Sequence, residues 1–193
     1  MPTIEADIGD LHLVLRTTAT MFSPGGVDRG TSLLLTLVDF DPADKVLDLG
    51  CGYGVMGIYA ARVLGPQRVF MIDKDTEAVS LAAANAQDNG VAGVRVQLSD
   101  GFKDLRETGF TKILCNPPYH TDFSVAKHFI EKGFNRLTVG GELWMVTRRE
   151  AWYRNKLTSV FGGVRIERRD GYFVFQSSKK DARYARRRPP STS

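Results

Sequence analysis

The chain has 193 residues, 42% of them hydrophobic and 25% charged, and a net charge of +4 at pH 7. This length fits one α/β domain, and this composition excludes wholesale disorder. The first residues lack a basic start followed by an apolar run, and no apolar stretch is long enough to cross a bilayer, which predicts a cytoplasmic protein without a membrane anchor.

The first forty residues predict elements that lead into the main domain. Residues 11–22 have the pattern of short strands, and the segment from Thr31 to Val38 has the pattern of a helix. We therefore expect residues 1–40 to form strands and a helix ahead of the first core strand.

Four short, almost continuously apolar runs follow and predict strands that are buried on both faces. They are Val46–Leu49, Val69–Asp73, Ile113–Cys115 and Leu143–Thr147. Helical patterns lie between these runs: Val55 to Leu64, a helix from Asp75 to Asn89-Gly90, and one from near Asp122 that includes Leu137 and stops at Gly140-Gly141. The alternation predicts a doubly wound, mostly parallel, Rossmann-like sheet with right-handed crossovers.

The end of the chain has a different pattern. Val164–Arg168 alternates, Asp170-Gly171 forms a turn, and Tyr172–Phe175 continues as a second strand, which predicts an antiparallel hairpin at the edge of the sheet. We place one domain at residues 1–178. Residues 179–193 have six Lys or Arg and no large aliphatic side chain, which predicts a basic, disordered tail.

Charge is distributed unevenly along the chain. Residues 1–147 have 13 Lys/Arg against 18 Asp/Glu, a balance of −5, whereas residues 148–193 have 13 against 4, a balance of +9. A basic C-terminal region favours a polyanionic partner such as RNA. The alternative is a solvated tail that only aids solubility.

The segment Asp48–Gly57 joins the first buried strand to a helix and has the form of a ligand-binding loop. Its small residues let a ligand approach the backbone, and the helix N-terminus offers free N–H groups. Gly52, Gly54 and Gly57 satisfy G-x-G-x-x-G, with Asp73 about twenty residues on, as a dinucleotide site requires. The same layout serves S-adenosylmethionine, and a purely structural turn is a third possibility.

Two features favour S-adenosylmethionine. Asp48-Leu49-Gly50-Cys51-Gly52 resembles the acid-x-Gly-x-Gly signature of class I methyltransferases, and Asp100-Gly101-Phe102 matches the place where that family binds the adenine edge. The resemblance implies a cofactor site formed by Asp48, Gly50, Gly52, Gly54, Asp73, Asp100 and Phe102. For Asp100, the alternative role is to cap a turn.

Asn116-Pro117-Pro118-Tyr119 follows a buried strand at the carboxyl edge, where doubly wound sheets bind ligands. The two prolines fix φ and remove two N–H donors, which leaves a rigid run of carbonyl acceptors; an ordinary proline-rich turn is the alternative. An aryl or amide NH₂ is a poor nucleophile, so its enzyme must hold the nitrogen in line with a sulfonium methyl. The Asn116 oxygen and the Pro117 carbonyl can accept its two N–H bonds while Tyr119 stacks on the base.

The remaining candidate residues have supporting roles. We expect Pro118, Tyr119 and His120 to bind the substrate, with His120 in a positioning or phosphate-facing role and no dedicated general base. Cys51 and Cys115 fit reduced, buried thiols. Two cysteines and three scattered histidines have no ligand spacing, so we expect no metal.

With these residues placed, the chain resembles the small-subunit ribosomal RNA guanine-N2 methyltransferases and their single-domain relatives over roughly residues 11–175. The segment from Phe22 to Leu35 indicates this subfamily. The resemblance implies a class I fold and, as substrate, guanine N2 of ribosomal RNA. Tyr119 stands where the family often has phenylalanine and occurs also in adenine-N6 and protein-glutamine N5 methyltransferases, which remain alternatives, as does a non-enzymatic RNA-binding module. The pattern predicts no particular nucleotide or oligomeric state.

Overall fold

The computed structural model describes residues 2–118 and 123–185. Within them the strands are β1 (Thr3–Ile8), β2 (Leu11–Arg16), β3 (Val46–Leu49), β4 (Val69–Asp73), β5 (Arg95–Leu98), β6 (Phe110–Cys115), β7 (Leu137–Thr147), β8 (Arg165–Arg169) and β9 (Tyr172–Ser178). The helices are α1 (Arg29–Leu37), α2 (Val55–Leu64), α3 (Thr76–Asp88), α4 (Phe123–Arg136) and α5 (Ala151–Phe161).

Seven strands form the central sheet, in the order β5-β4-β3-β6-β7-β9-β8. The first five are parallel to their neighbours, and β9 is antiparallel to both β7 and β8. The predicted fold class is therefore confirmed, including the C-terminal hairpin. The chain leaves β3 towards β4 on one side and returns to β6 on the other, so the carboxyl ends of β3 and β6 border the crevice where such sheets bind ligands.

Both faces of the sheet are buried. Alternate residues of its central strands pack into two hydrophobic clusters, one on each face. Val46 and Met71 pack on the side of α1, α2 and α3, whereas Leu47 and Ile72 pack on the side of α4 and α5. This two-sided burial explains why the strands have continuous apolar runs in the sequence.

The boundary between α4 and β7 differs from the sequence-based expectation. The helix ends at Arg136, and Leu137 begins β7 by pairing with Phe110. The expected stop at Gly140-Gly141 is wrong, since these glycines lie inside the strand. Gly140 has a φ of 88°, and a Cβ at Gly141 would lie 3.0 Å from the Phe110 carbonyl oxygen, so the pair accommodates an irregularity in the strand.

Two further elements differ from the prediction. Only Leu11–Arg16 of the range 11–22 is a strand, and it pairs with β1, which the sequence reading did not identify. Helix α5 was also missed. Its buried residues Tyr153, Leu157, Val160 and Phe161 have the spacing i, i+4, i+7 and i+8, so the helical signal was present in the sequence.

Two asparagines, Asn85 in α3 and Asn89 at its C-cap, fix the β1–β2 hairpin to the domain. The Asn85 side chain accepts from Arg16 N (2.7 Å) and donates to Arg16 O (3.0 Å). The Asn89 side chain likewise accepts from Val14 N (3.1 Å) and donates to Val14 O (2.7 Å). The backbone of β2 is thus satisfied by amides of a helix, and the residues that follow β2 are held over the carboxyl edge of the sheet.

The segment after β9 packs against the domain as far as the structure describes it. Lys179 is 8% exposed, and its Nζ donates to the carbonyls of Phe134 in the last turn of α4 (2.8 Å) and of Leu137 at the start of β7 (2.7 Å). Burial lowers the pKa of Lys179. Tyr184 packs edge-on against Phe134 and donates to the Glu131 carbonyl (2.8 Å). Residues 179–185 therefore belong to the folded surface, and any free tail begins later than residue 179.

Candidate active site

A cavity of about 390 Å³ opens at the carboxyl ends of β3, β4 and β6. It brings together most of the residues that the sequence selected. Its lining includes Gly50, Gly52, Asp73, Asp100, Asn116, Pro117 and Pro118. Asp48, Gly54 and Phe102 lie outside the lining. Asp48 is buried beneath the loop, Gly54 faces Ala82 of α3, and Phe102 is buried.

We call residues 48–57 together with Asp73 the glycine-loop wall. The loop needs glycine at two points for packing reasons. Gly54 has a φ of 97°, and a Cβ there would lie 3.2 Å from the Ala82 Cβ of α3. A Cβ at Gly57 would lie 2.3 Å from the Met71 side chain, so only glycine lets α2 approach β4 this closely.

Asp48 is fully buried beneath this loop. Its Oδ2 accepts the Gly57 N–H at 2.7 Å, while its Oδ1 has no hydrogen-bond partner among the described residues. Burial raises the pKa of Asp48 to about 7; the nearby charge of Asp73 adds to the rise, and the Gly57 N–H opposes it. The site therefore contains a carboxyl group whose ionisation depends on the charge that occupies the cavity.

Asp73 ends β4 and connects the loop to the next helix. Its Oδ2 accepts from Gly52 N (2.9 Å), and its Oδ1 accepts from Asp75 N (3.0 Å). Each carboxylate oxygen has further lone pairs, so the group can hold the loop and still accept hydrogen bonds from a ligand in the cavity.

The segment after β5 forms the far end of the cavity. The Ser99 hydroxyl donates to Gly101 O (2.8 Å) and accepts from Asp104 N (3.1 Å), which fixes this turn. Asp100 is exposed at the cavity lining, whereas Phe102 packs edge-on against Phe129. The turn thus offers a carboxylate to the cavity and uses its aromatic ring to hold the turn in place.

We call Asn116 and the segment 28–31 the amide wall. The Asn116 Nδ2 group donates to Asp28 Oδ2 (3.1 Å) and to Thr31 Oγ1 (2.9 Å). Asp28 also caps α1, because the same Oδ2 accepts from Thr31 N at 3.0 Å. Helix α1 therefore presents its N-terminal cap to the strand-end asparagine of β6.

Strand β9 completes the amide wall from the other side. The Tyr172 hydroxyl donates to Asp28 Oδ1 (2.9 Å), and Arg148 donates to that hydroxyl (2.9 Å) with its guanidinium 4.6 Å from the ring centroid. A Cβ at Gly30 would lie 2.5 Å from the Tyr172 ring, so the glycine allows α1 and β9 to meet.

The sequence analysis did not identify Asp28 and Tyr172 as site residues. In the segment Asp28-Arg29-Gly30-Thr31, the aspartate has the position of a helix N-cap relative to Thr31. This pattern predicts the start of a helix, but it does not predict a contact with Asn116. No sequence signal links Tyr172 to this site. Tyr119 and His120 lie outside the described residues, so their expected roles stay predictions.

The charged residues of the cavity lining are mostly acidic. Within the described residues, it has the carboxylates of Asp28, Asp73, Asp75 and Asp100 and one cationic side chain, Lys74. This charge favours a cationic ligand and disfavours the pyrophosphate of a dinucleotide. Cys51 and Cys115 are buried, and burial raises the pKa of both thiols, so they are poor nucleophiles.

The sheet order, the glycine loop at the first core strand and the acidic cavity together define a class I methyltransferase fold. The methyltransferase small domain family matches residues 12–176, and the chain belongs to it. The described part of the chain holds no group of three or more His, Cys, Asp or Glu side chains that could bind a metal, and no helix there is long and apolar enough to cross a membrane.

Individual relatives agree with this assignment. The chain is 32% identical over 165 residues to protein YbxB of Bacillus subtilis, covering 82% of each. It is 32% identical to ribosomal RNA small subunit methyltransferase C of Pseudomonas putida, covering 82% of this chain and 49% of that protein. The 16S rRNA N2-guanine methyltransferase of T. thermophilus, solved with S-adenosylmethionine and guanosine, superposes with a TM-score of 0.85 at 26% identity, over 92% of this chain and 50% of that one. The chain thus spans about half the length of these ribosomal RNA methyltransferases.

Proposed function

We propose that this protein transfers a methyl group from S-adenosylmethionine to an exocyclic base amine of RNA, with guanine N2 of ribosomal RNA as the target. The observation that carries the proposal is the cavity itself, in which an acidic glycine-loop wall faces Asn116 and Pro117. The T. thermophilus relative, solved with the same cofactor and guanosine, supports the choice of both ligands.

The residues present fit S-adenosylmethionine. Gly50 and Gly52 would leave room for its methionine part against the backbone, and Asp73 would accept from its ribose hydroxyls, whereas Gly54 faces Ala82 and would act only through the shape of the loop. Asp100 would accept from the adenine edge in front of the buried Phe102, and Asp48 lies beneath the loop. The sulfonium supplies an electrophilic methyl group, and its positive charge suits the acidic lining.

The amide wall would hold the amine. The Asn116 side-chain oxygen and the Pro117 carbonyl accept its two N–H groups and aim the nitrogen lone pair at the methyl. The amine becomes cationic during transfer, so these partial negative charges stabilise the transition state more than the ground state. No general base is needed to start the reaction. Pro118, Tyr119 and His120 would contact the base and its backbone.

Charge favours RNA over a protein glutamine. Between residues 148 and 185 the described chain has ten Lys or Arg against four Asp or Glu, which suits phosphates. Guanine N2 is favoured over adenine N6 by the relatives. A ribosomal RNA substrate would place the enzyme in the cytosol.

The test is to incubate the protein with methyl-labelled S-adenosylmethionine and either total RNA or total protein from cells that lack it. Nucleoside digestion of the RNA should yield labelled N2-methylguanosine, and the Asn116→Ala protein should yield far less. Labelled N6-methyladenosine, or label in N5-methylglutamine of a protein, would contradict the proposed target and assign one of the two alternatives.

A further inference from the structure

The side-chain amide of Asn116 has a defined polarity in this site. Both of its N–H bonds point at oxygen atoms of the segment 28–31, namely Asp28 Oδ2 at 3.1 Å and Thr31 Oγ1 at 2.9 Å. An ionised carboxylate can only accept hydrogen bonds, so the amide must present its nitrogen on this side. A flipped amide would set its oxygen against the carboxylate of Asp28.

The acceptor that imposes this polarity is itself held on both oxygens. Asp28 Oδ2 also accepts from Thr31 N (3.0 Å), and Oδ1 accepts from the Tyr172 hydroxyl (2.9 Å). Tyr172 is 4% exposed, and Arg148 donates to its oxygen, so the hydroxyl proton points at Asp28. Donation therefore runs from Arg148 through Tyr172 to Asp28, while Asn116 donates to Asp28 from the opposite side.

We propose that Asp28 is a positioning residue for methyl transfer, which sets the amide of Asn116 so that its oxygen, and not its nitrogen, faces the target amine. This inference rests on the proposed role of Asn116. The wrong amide orientation would place one NH₂ group against another, and the amine could not be held. The charge of Asp28 also polarises the amide along its hydrogen bond, which makes the Asn116 oxygen a better acceptor for the cationic amine that develops.

The role of Asp28 as the cap of α1 has to be separated from this one. Asparagine caps helices about as well as aspartate, so Asp28→Asn keeps the cap while it removes the obligatory acceptor and the charge. Tyr172→Phe offers an independent perturbation, because it removes the donor to Asp28 Oδ1 and leaves the Asp28 side chain in place. Asp39→Asn, at an exposed position outside the cavity, is the matched control for loss of one aspartate charge.

The experiment is a double-mutant cycle between Asp28→Asn and Asn116→Ala, read as single-turnover methyl transfer at saturating S-adenosylmethionine and RNA. We expect Asp28→Asn to slow transfer by about tenfold or more at saturating cofactor, whereas Asp39→Asn should transfer at the parent rate. In the Asn116→Ala background, the same change should have no further effect, because the group it positions is gone. Tyr172→Phe should slow transfer by a smaller factor and add little to Asp28→Asn.

Each contrary outcome is distinct. Equal slowing by Asp28→Asn in both backgrounds would show that Asp28 acts independently of Asn116, and an unchanged rate in the single variant would show that it does not position the amide. Either result overturns the inference and leaves the proposed function standing. A near-normal rate for Asn116→Ala would instead remove the catalytic role of Asn116. If Asp28→Asn fails to fold, the cycle between Tyr172→Phe and Asn116→Ala decides, and additivity there overturns the inference.

Discussion

Each wall of the cavity contains an aspartate, Asp48 fully buried and Asp28 half-buried, and the two carboxylates have different hydrogen bonds. On the glycine-loop wall, Asp48 has one oxygen on Gly57 N and one without a hydrogen-bond partner among the described residues. On the amide wall, Asp28 accepts on both oxygens. A buried carboxylate with few hydrogen-bond donors has a higher free energy in its charged form, and a nearby cation offsets that cost. A carboxylate that accepts hydrogen bonds on both oxygens fixes the groups around it. The ionisation of Asp48 on the glycine-loop wall therefore depends on nearby charge, whereas Asp28 on the amide wall fixes the geometry of the side chains around it.

The largest effect should come from the amide wall. Asn116→Ala removes the acceptor that we propose acts on the developing cation, and we expect single-turnover methyl transfer to fall by about 10²–10³-fold, as for other preorganised hydrogen-bond groups. Cofactor affinity should change little. Asn155→Ala, at an exposed amide on α5, is the matched control. Equal losses in rate and in cofactor affinity would show that Asn116 also contributes to cofactor binding, and that the two walls do not have separate roles.

The second effect concerns the charge of Asp48. Its folded pKa of about 7 lies above the unfolded value of 3.8, so the folded state binds the proton more tightly and unfolding free energy falls as pH rises between these values. Asp48→Asn keeps an acceptor for Gly57 N and removes this penalty. Its stability relative to the parent should therefore grow by about 3 kcal/mol from pH 4 to pH 7 and then level off.

Urea unfolding across this pH range measures the difference. The exposed Asp104→Asn should not reproduce the widening. A constant difference between Asp48→Asn and the parent would mean that Asp48 is ionised without cost and that the glycine-loop wall does not respond to charge as described.

A smaller effect is expected at Asp73. Asp73→Ala removes the acceptor of Gly52 N and the proposed acceptor of the ribose hydroxyls, and we expect S-adenosylmethionine binding to weaken by about 1.5–3 kcal/mol. Asp73→Asn retains one acceptor oxygen and should lie between alanine and the parent. Calorimetry decides, and unchanged affinity in folded Asp73→Ala would remove this residue from the cofactor site.

The smallest effect should follow loss of the basic end. Deleting residues 186–193 removes Arg186, Arg187 and Arg188, and the slope of log affinity for RNA against log salt should flatten by about 2, at about 0.7 per phosphate released. Cofactor affinity and stability should not change. An unaltered slope would leave these arginines with a solubilising role. Deletion from residue 179 should in addition lower stability, because it removes the buried Lys179.

The glycine-loop wall could be predicted from the sequence because its parts are contiguous. Strand, loop and helix follow one another, and the apolar runs, the glycines and Asp73 have fixed spacing. On the amide wall, only Asn116 could be predicted. The hydrogen-bonded residues Asn116 and Asp28 are 88 residues apart along the chain, and Tyr172 and Asp28 are 144 residues apart. Pairwise contacts of that range depend on sheet order, which local patterns do not encode.

Two other differences have similar causes. The Gly140-Gly141 pair has the sequence signature of a helix stop, but pairing with a neighbouring strand placed it inside β7. Lys179 has the signature of a solvated cation, but carbonyls in the last turn of α4 and at the start of β7 bind it. In both, tertiary contacts override a local preference.

The bond between Tyr172 and Asp28 has a consequence for how the enzyme is made. Asp28 leaves the ribosome long before Tyr172, and β9 must insert between β7 and β8 before the two side chains meet. A chain that ended before β9 would still contain the segments that form the glycine loop and the segment 28–31. It lacks the last donor to Asp28, however, so its Asn116 is less firmly oriented. The final strand is therefore needed to complete the hydrogen bonds that orient Asn116, although Asp28 and Asn116 lie in earlier parts of the chain.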